Sequence, residues 1–154
     1  MSHWLIKSEE DVFSIANLKR DQKTTWEGVR NYEARNLMRD KMKPGDLALF
    51  YHSNSKPSGI AGLAKVLRVD LPDPSQFDKK SEYYDATSDE ADPRWRMIEV
   101  GFVRQFRKVL PLDLLKAEKA LAKMPLLAKG SRLSVQPVSD AHFAHVLKLV
   151  GSAP

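Results

Sequence analysis

The chain contains no cysteine. Disulfides and thiolate-held metals are therefore excluded, and a reducing compartment is compatible with the composition. Long apolar runs are missing too: none approaches the ~20 residues that span a bilayer as a helix. The N-terminal residues MSHWLIKSEE lack the hydrophobic core of a secretory signal. An intracellular, cytoplasmic protein with no membrane partner is the expectation. Also absent are a Walker loop, a dinucleotide-binding glycine fingerprint, a nucleophile elbow and a zinc-protease helix motif. No cofactor, no metal and no catalytic residue are expected. Histidine is scarce, with His3, His52, His142 and His145 only. The i, i+3 pair His142 and His145 has the spacing of two metal ligands, but such a pair is more often a solvated helix face. His52 closes an apolar strand, where it is either a pocket residue or a hydrogen-bonded strand end.

What remains is an ordinary globular composition of 154 residues, 42% hydrophobic and 29% charged. That length supports one domain with its own core, and no repeat, linker or second domain breaks residues 1–154. The net charge of +5 is uneven. Residues 70–92 hold eight acids against two lysines, −6, so the other residues carry +11. A basic body of this kind suits a polyanion partner.

Apolar periodicity places the elements. Trp4–Ser8 reads as a strand, with Trp4, Ile6 and Ser8 on one face and Leu5 and Lys7 on the other. A short helix over residues 12–18 follows, with Glu9, Glu10 and Asp11 expected at its positive end. Leu47–Ser53 is a buried strand whose polar end, Tyr51-His52-Ser53, is suited to delivering side chains into a pocket. Ile60–Val69 and Trp95–Phe106 are further strands. Gly59, Ala61 and Gly62 allow close approach of another backbone or a ligand. Phe77, Tyr83 and Tyr84 are expected to pin the long acidic loop between those strands, and Glu99 to pair with Lys7 or an arginine of the Thr24–Asp46 stretch. Residues 112–127 are helix-prone, Lys129–Arg132 form a turn, Leu133–Val138 a strand, and Ser139 caps a last helix. Strands joined by loops rather than regular βαβ units imply an α+β domain built on a small, mostly antiparallel barrel-like sheet.

The stretch from Thr24 to Asp46 organises the rest. Asn31 is a good N-cap for a helix reaching Met42, with Ala34, Leu37, Met38 and Met42 on its apolar face. Trp26, Gly28 and Arg30 precede it; Tyr32, Arg35 and Arg39 lie on its other face. A tryptophan, an approachable backbone and arginines at a helix entrance are the parts of a nucleotide site. They are equally the parts of a core tryptophan beside a solvated basic helix.

Taken together, six segments resemble the EVE domain family: WLIKSE, WEGVRNY with ARN, FYHS, GIAG, PRW and LSVQPV, in that order and over nearly the whole chain. Two positions depart from the family pattern, Glu10 and Ala86 standing where proline is usual. The lack of a long N-terminal extension resembles the small bacterial members. The resemblance implies a PUA-like fold, related to YTH, SRA and ASCH domains, and a non-catalytic reader of a modified base in DNA or RNA, acting as a monomer. By that likeness Trp26 walls a base pocket, with Ser8, Tyr51, Ser53 and Trp95 as lining. Lys7, Arg30, Asn31 and Arg35 would hold backbone or polar base edges, and Gly28 and Gly62 would let the nucleotide come close. Trp26→Ala would then abolish binding and leave folding cooperative. The alternative is an ASCH-like hydrolase of a modified nucleoside, with Lys7, Glu9 and Thr24 or Thr25 as its reactive set. Burial and proximity of Lys7 and Glu9 discriminate the two.

Overall fold

The computed structural model describes residues 1–130 and 133–151. One six-stranded sheet carries the chain, in the order β2-β5-β4-β3-β1-β6. The strands are β1 His3–Glu9, β2 Lys23–Thr25, β3 Leu47–Ser53, β4 Gly59–Pro72, β5 Arg96–Pro111 and β6 Val135–Val138. Only β1 and β3 run parallel; every other neighbour is antiparallel. This is the mixed α+β arrangement that the strand-rich pattern implies. The sheet is not closed, since β2 and β6 stand at its two edges among the described residues. Register shifts along β4 and β5 bend it instead. No helix among the described residues is long and apolar enough to cross a membrane.

Both faces of the sheet are covered, which explains the near-continuous apolar run of β3. Trp4, Ile6, Ala48 and Phe50 face helices α1 (Ile15–Asp21) and α2 (Tyr32–Asn36). Leu5, Leu49 and Tyr51 face the other way, into a core shared with α3 (Leu112–Ala117) and α4 (Asp140–Leu149). The strand alternation read from the sequence assigns these faces correctly.

Several local boundaries differ from the sequence expectations for identifiable reasons. Helix α1 starts three residues later than expected, because Ser14 and Asn17 cap each other reciprocally, so the acids at 9–11 lie outside its first turn. Asn31 does cap α2 through Ala34, but the helix relaxes into a π turn over Leu37–Lys41 before Pro44. Glu99 pairs with Arg68 across β4 and β5 at 3.1 Å, not with Lys7. The acidic loop is pinned by buried polar groups rather than by tyrosines: Tyr83 and Tyr84 are exposed, while Asp73 and Gln76 are buried. Gln76 bonds the Trp95 backbone on both sides. Of the turn expected at 129–132, Ser131 and Arg132 lie outside the described residues.

Candidate nucleic-acid interface

A cleft of about 430 Å³ opens at the end of β1. Lys7, Ser8 and Glu9 form its floor, Val12 and Phe13 one side, and residues 24–27 with Tyr83 the other. Three consecutive β1 residues reach it because the strand ends there, beyond the helices that cover each face. Trp26 is its main wall. Its backbone N–H donates to the Ile98 carbonyl at 2.8 Å, and its ring meets Phe50 edge-on at 5.5 Å. Only 8% of Trp26 is exposed. The tryptophan is therefore both core and cleft, and the two readings open in the sequence are not exclusive.

The polar groups of the cleft differ in how far they are satisfied. The Lys7 ammonium makes no hydrogen bond or ion pair among the described residues; its one recorded neighbour is the Tyr51 ring, 5.9 Å away. Burial pushes its pKa below the ordinary lysine value. Glu9 accepts from Asn54 at 2.7 Å, and Glu27 meets Thr25 at 3.4 Å. The exposed Glu9 and Glu27 and the half-buried Lys7 thus line one cleft.

The remaining sequence candidates lie elsewhere. Tyr51 pairs with Lys7 in the parallel register, so its side chain shares the opposite face from Ser8 and Trp26. Ser53 is opposite Glu9 and outside the cleft lining. A Cβ on Gly62 would collide with the Arg104 carbonyl and lie 2.7 Å from Ile15, so the small residue serves strand and helix packing, not a nucleotide. Trp95 is a buried pillar beneath the acidic loop, its indole N–H donating to Asp85 at 2.9 Å. That bond, with those from Thr87, holds the Asp85 pKa at about 2, the Thr87 hydroxyl contributing most. The Asn31 side chain is consumed as the α2 cap. Arg35 lies in a second, neighbouring cleft.

Arg30 and Gly28 shape the cleft indirectly. Arg30 donates to the Tyr83 carbonyl at 2.9 Å and to Asp73 at 3.1 Å, and its guanidinium lies 5.4 Å from the Tyr83 ring. The Gly28 amide donates to Asp73 at 2.8 Å. Burial raises the Asp73 pKa, but the bonds from Ser75, Gly28 and Arg30 outweigh it and hold the carboxyl below its usual range. Gly28 sits at φ +78°, and a Cβ there would lie 2.7 Å from Tyr83. The close approach that Gly28 permits is thus to Tyr83. The acidic loop supplies part of the cleft lining through Tyr83.

Glu9, Thr24 and Thr25 enter the cleft as the hydrolase alternative requires, but Phe13, Glu27 and Tyr83 had no sequence signal. Of the His142–His145 pair, His145 engages Glu118 at 2.7 Å, and no cluster of three or more potential metal ligands occurs among the described residues.

Comparison with known proteins places this geometry. A family model described as EVE domain matches residues 2–149. Human thymocyte nuclear protein 1 is 44% identical over 99% of this chain and 76% of its own length. A crystal structure from Pseudomonas syringae superposes with a TM-score of 0.93 at 45% identity, covering 97% of this chain and 99% of that one. The structure of human THYN1 protein in complex with 5-methylcytosine-containing DNA superposes with a TM-score of 0.90 at 43% identity and full coverage of both chains. An ASCH protein of Zymomonas mobilis shares the fold alone, at 11% identity and a TM-score of 0.56 over 97% of this chain and 99% of that one.

Proposed function

The chain belongs to the EVE domain family, and from that premise and the cleft geometry we propose that it is a non-catalytic nucleic-acid-binding domain that takes a modified base against Trp26. The observation that carries the reading is the cleft's mixed lining. Trp26 and Phe13 offer apolar walls, and Lys7, Glu9 and Glu27 offer polar groups of both signs. A base out of its stack presents two faces for an aromatic wall and an edge of donors and acceptors. An exocyclic amino group suits a carboxylate acceptor, and a ring carbonyl suits the Lys7 ammonium. The human relative was solved with DNA carrying 5-methylcytosine, a base with an amino group, a carbonyl and a methyl. That set matches the cleft, so Lys7, Ser8 and Trp26 are proposed as base contacts together with Phe13, Glu9 and Glu27. The bent sheet, with its register shifts in β4 and β5, supports reading the fold as an opened PUA-like barrel.

The test is binding of short oligonucleotides that differ at one base, in DNA and in RNA, across a panel of modified bases that includes 5-methylcytosine. One extra methyl is worth about 1–3 kcal/mol in an apolar pocket, so a preference of about tenfold or more over the parent base is expected. Equal affinity for every member of the panel overturns the reading.

One observation favours the hydrolase alternative: Lys7, Glu9, Thr24 and Thr25 share the cleft. However, Lys7 and Glu9 are not ion-paired within 4.0 Å, so the expected result is no turnover. Release of an acyl group from an acylated nucleoside, lost in Lys7→Ala, would establish the enzyme instead.

A further inference from the structure

The base cleft is poorly suited to hold phosphate. It presents Glu9 and Glu27 against Lys7, so its own charge is negative. A strand whose base enters it needs its backbone held by cations elsewhere, and the molecule offers such a place next door. A second cleft of about 340 Å³ is lined by Arg35, Arg39, Arg94 and Arg96, together with Thr87, Ser88 and the two acids Asp89 and Asp92. We propose that this arginine cleft seats a backbone phosphate of the strand whose base occupies the Trp26 cleft. The proposal rests on the base-binding reading and extends it to the neighbouring nucleotides.

Two independent observations support the assignment. The first is charge accounting within the cleft. Arg39 is matched by Asp40 at 2.8 Å, Arg94 by Asp85 at 3.3 Å, and Arg96 by Asp70 at 3.2 Å and Asp92 at 3.5 Å. Arg35 makes no ion pair with a carboxylate among the described residues, Asp40 attracting it only at longer range. Its guanidinium donates to the Asn36 side-chain carbonyl and to the Arg94 backbone carbonyl at 3.0 Å. Burial, then repulsion from Arg39, depress its pKa; Tyr32 and Asp40 partly oppose this, and Arg94 adds a smaller repulsion. A half-buried guanidinium with neutral acceptors and like-charged neighbours is a ready seat for a phosphate oxygen.

The second observation is continuity. The Trp95 ring carries Arg30 at 5.1 Å and Arg35 at 5.9 Å, and Arg30 in turn lies over Tyr83, the wall of the base cleft. Tyr32 is 53% exposed and stacks on Trp95 at 5.0 Å. A track of alternating cations and aromatic rings therefore joins the two clefts. Tracks of that kind follow the alternating phosphates and bases of a single strand.

The test measures affinity as a function of salt for wild type, Arg35→Gln and Arg39→Gln, using one short single strand with the preferred modified base and its unmodified twin. Arg39 is partly exposed and pairs only with its neighbour Asp40, so Arg39→Gln remains informative should Arg35→Gln perturb folding. Each variant is expected to bind both strands about three- to tenfold more weakly at low salt. The slope of log affinity against log salt should become shallower by roughly 0.7 per lost phosphate contact. The ratio of modified to unmodified affinity should stay as in wild type. An unchanged slope in both variants overturns the phosphate seat, whatever the base preference. A shallower slope with no base preference in wild type keeps the seat and removes the base reading. No binding of either strand by wild type overturns both.

Discussion

Arg30 and Asp73 form an ion pair of 3.1 Å in which the carboxylate is fully buried and the guanidinium is one-fifth exposed. The pair fastens the acidic loop onto the entrance of α2 and, through it, places Tyr83 at the cleft. The charges of Arg30 and Asp73 are thus spent on each other.

Asp73→Ala should test that fastening. Removing one partner of a buried pair strands the other, but Arg30 keeps some access to water, so a loss of about 2–4 kcal/mol is expected, toward the low end for buried pairs. Because the folded pKa lies below the usual carboxylate value, the contribution is fully present above about pH 4 and is lost as pH falls through the folded pKa. Denaturant titrations of wild type and Asp73→Ala between pH 7 and pH 3 should converge at the acid end. Parallel curves would show that Asp73 is not the group responsible.

Gly28→Ala should be destabilising on two counts, the positive φ and the encounter with Tyr83. The left-handed backbone alone costs about 1–2 kcal/mol in a residue with a Cβ. The steric part should vanish when Tyr83 is also cut to alanine. A double-mutant cycle on thermal stability separates the two, and a coupling energy near zero would show that the ring simply swings aside.

His52 carries a pH prediction of opposite origin. It is 2% exposed, and its Nε2 accepts from the Ile15 amide at 3.1 Å, which places the proton on Nδ1 and keeps the ring neutral. Burial lowers its pKa below 6.5, partly opposed by Glu10. The unfolded chain therefore binds a proton that the folded one refuses, and stability should fall as pH drops below about 6.5. Helix α1 follows the Val12–Phe13 wall, so loosening that bond should loosen the cleft. His52→Gln should flatten the stability profile between pH 7 and pH 5; a profile as steep as wild type would assign the titration to another group.

These cases show what was legible in the sequence. Strand β3 was readable because its apolar run is set by burial on both faces, and the parity of β1 put Trp4, Ile6 and Ser8 together. The parallel register between β1 and β3 was not readable, and it alone decides that Tyr51 lies across the sheet from Ser8. For Trp26 the wall role came from the family resemblance; its neighbours Gly28 and Arg30 left a core tryptophan equally open, and the ring is both buried and in the cleft lining. Tyr83 was missed because its placement depends on Asp73, forty-five residues from Gly28, whose burial no local pattern announces. Arg30 and Asn31 stand out in the sequence as polar groups with a task, and the structure gives them local partners, Asp73 and Tyr83 for Arg30 and the Ala34 amide for Asn31.

Trp26 was expected to be removable without loss of folding, and its packing on Phe50 changes that expectation. Truncation to alanine leaves a cavity in the larger core and should cost about 3–5 kcal/mol, so weakened binding by Trp26→Ala would be uninformative. Trp26→Phe keeps an aromatic face and most of the volume. It should melt closer to wild type and bind the modified strand several-fold more weakly. A Phe variant that binds as wild type removes Trp26 from the interface.

Lys7 offers the sharpest separation of function from stability. A half-buried ammonium without a partner costs the free protein folding energy, and its lowered pKa is the sign of that cost. Stability should accordingly rise as pH climbs through the folded pKa toward 10.5, the reverse of a paired lysine. Lys7→Met keeps the stem that borders Tyr51 and removes the charge. The variant should fold as stably as wild type or more so, within about 1 kcal/mol, and lose its alkaline stabilisation. It should also lose discrimination among base edges, because a donor that the fold leaves unsatisfied is satisfied only by the ligand. Thermal melts at pH 7 and pH 10 beside binding to the modified and parent strands read both effects at once. A Met variant that is clearly less stable than wild type would mean that the ammonium stabilises the fold, and it would move Lys7 from the binding site to the scaffold.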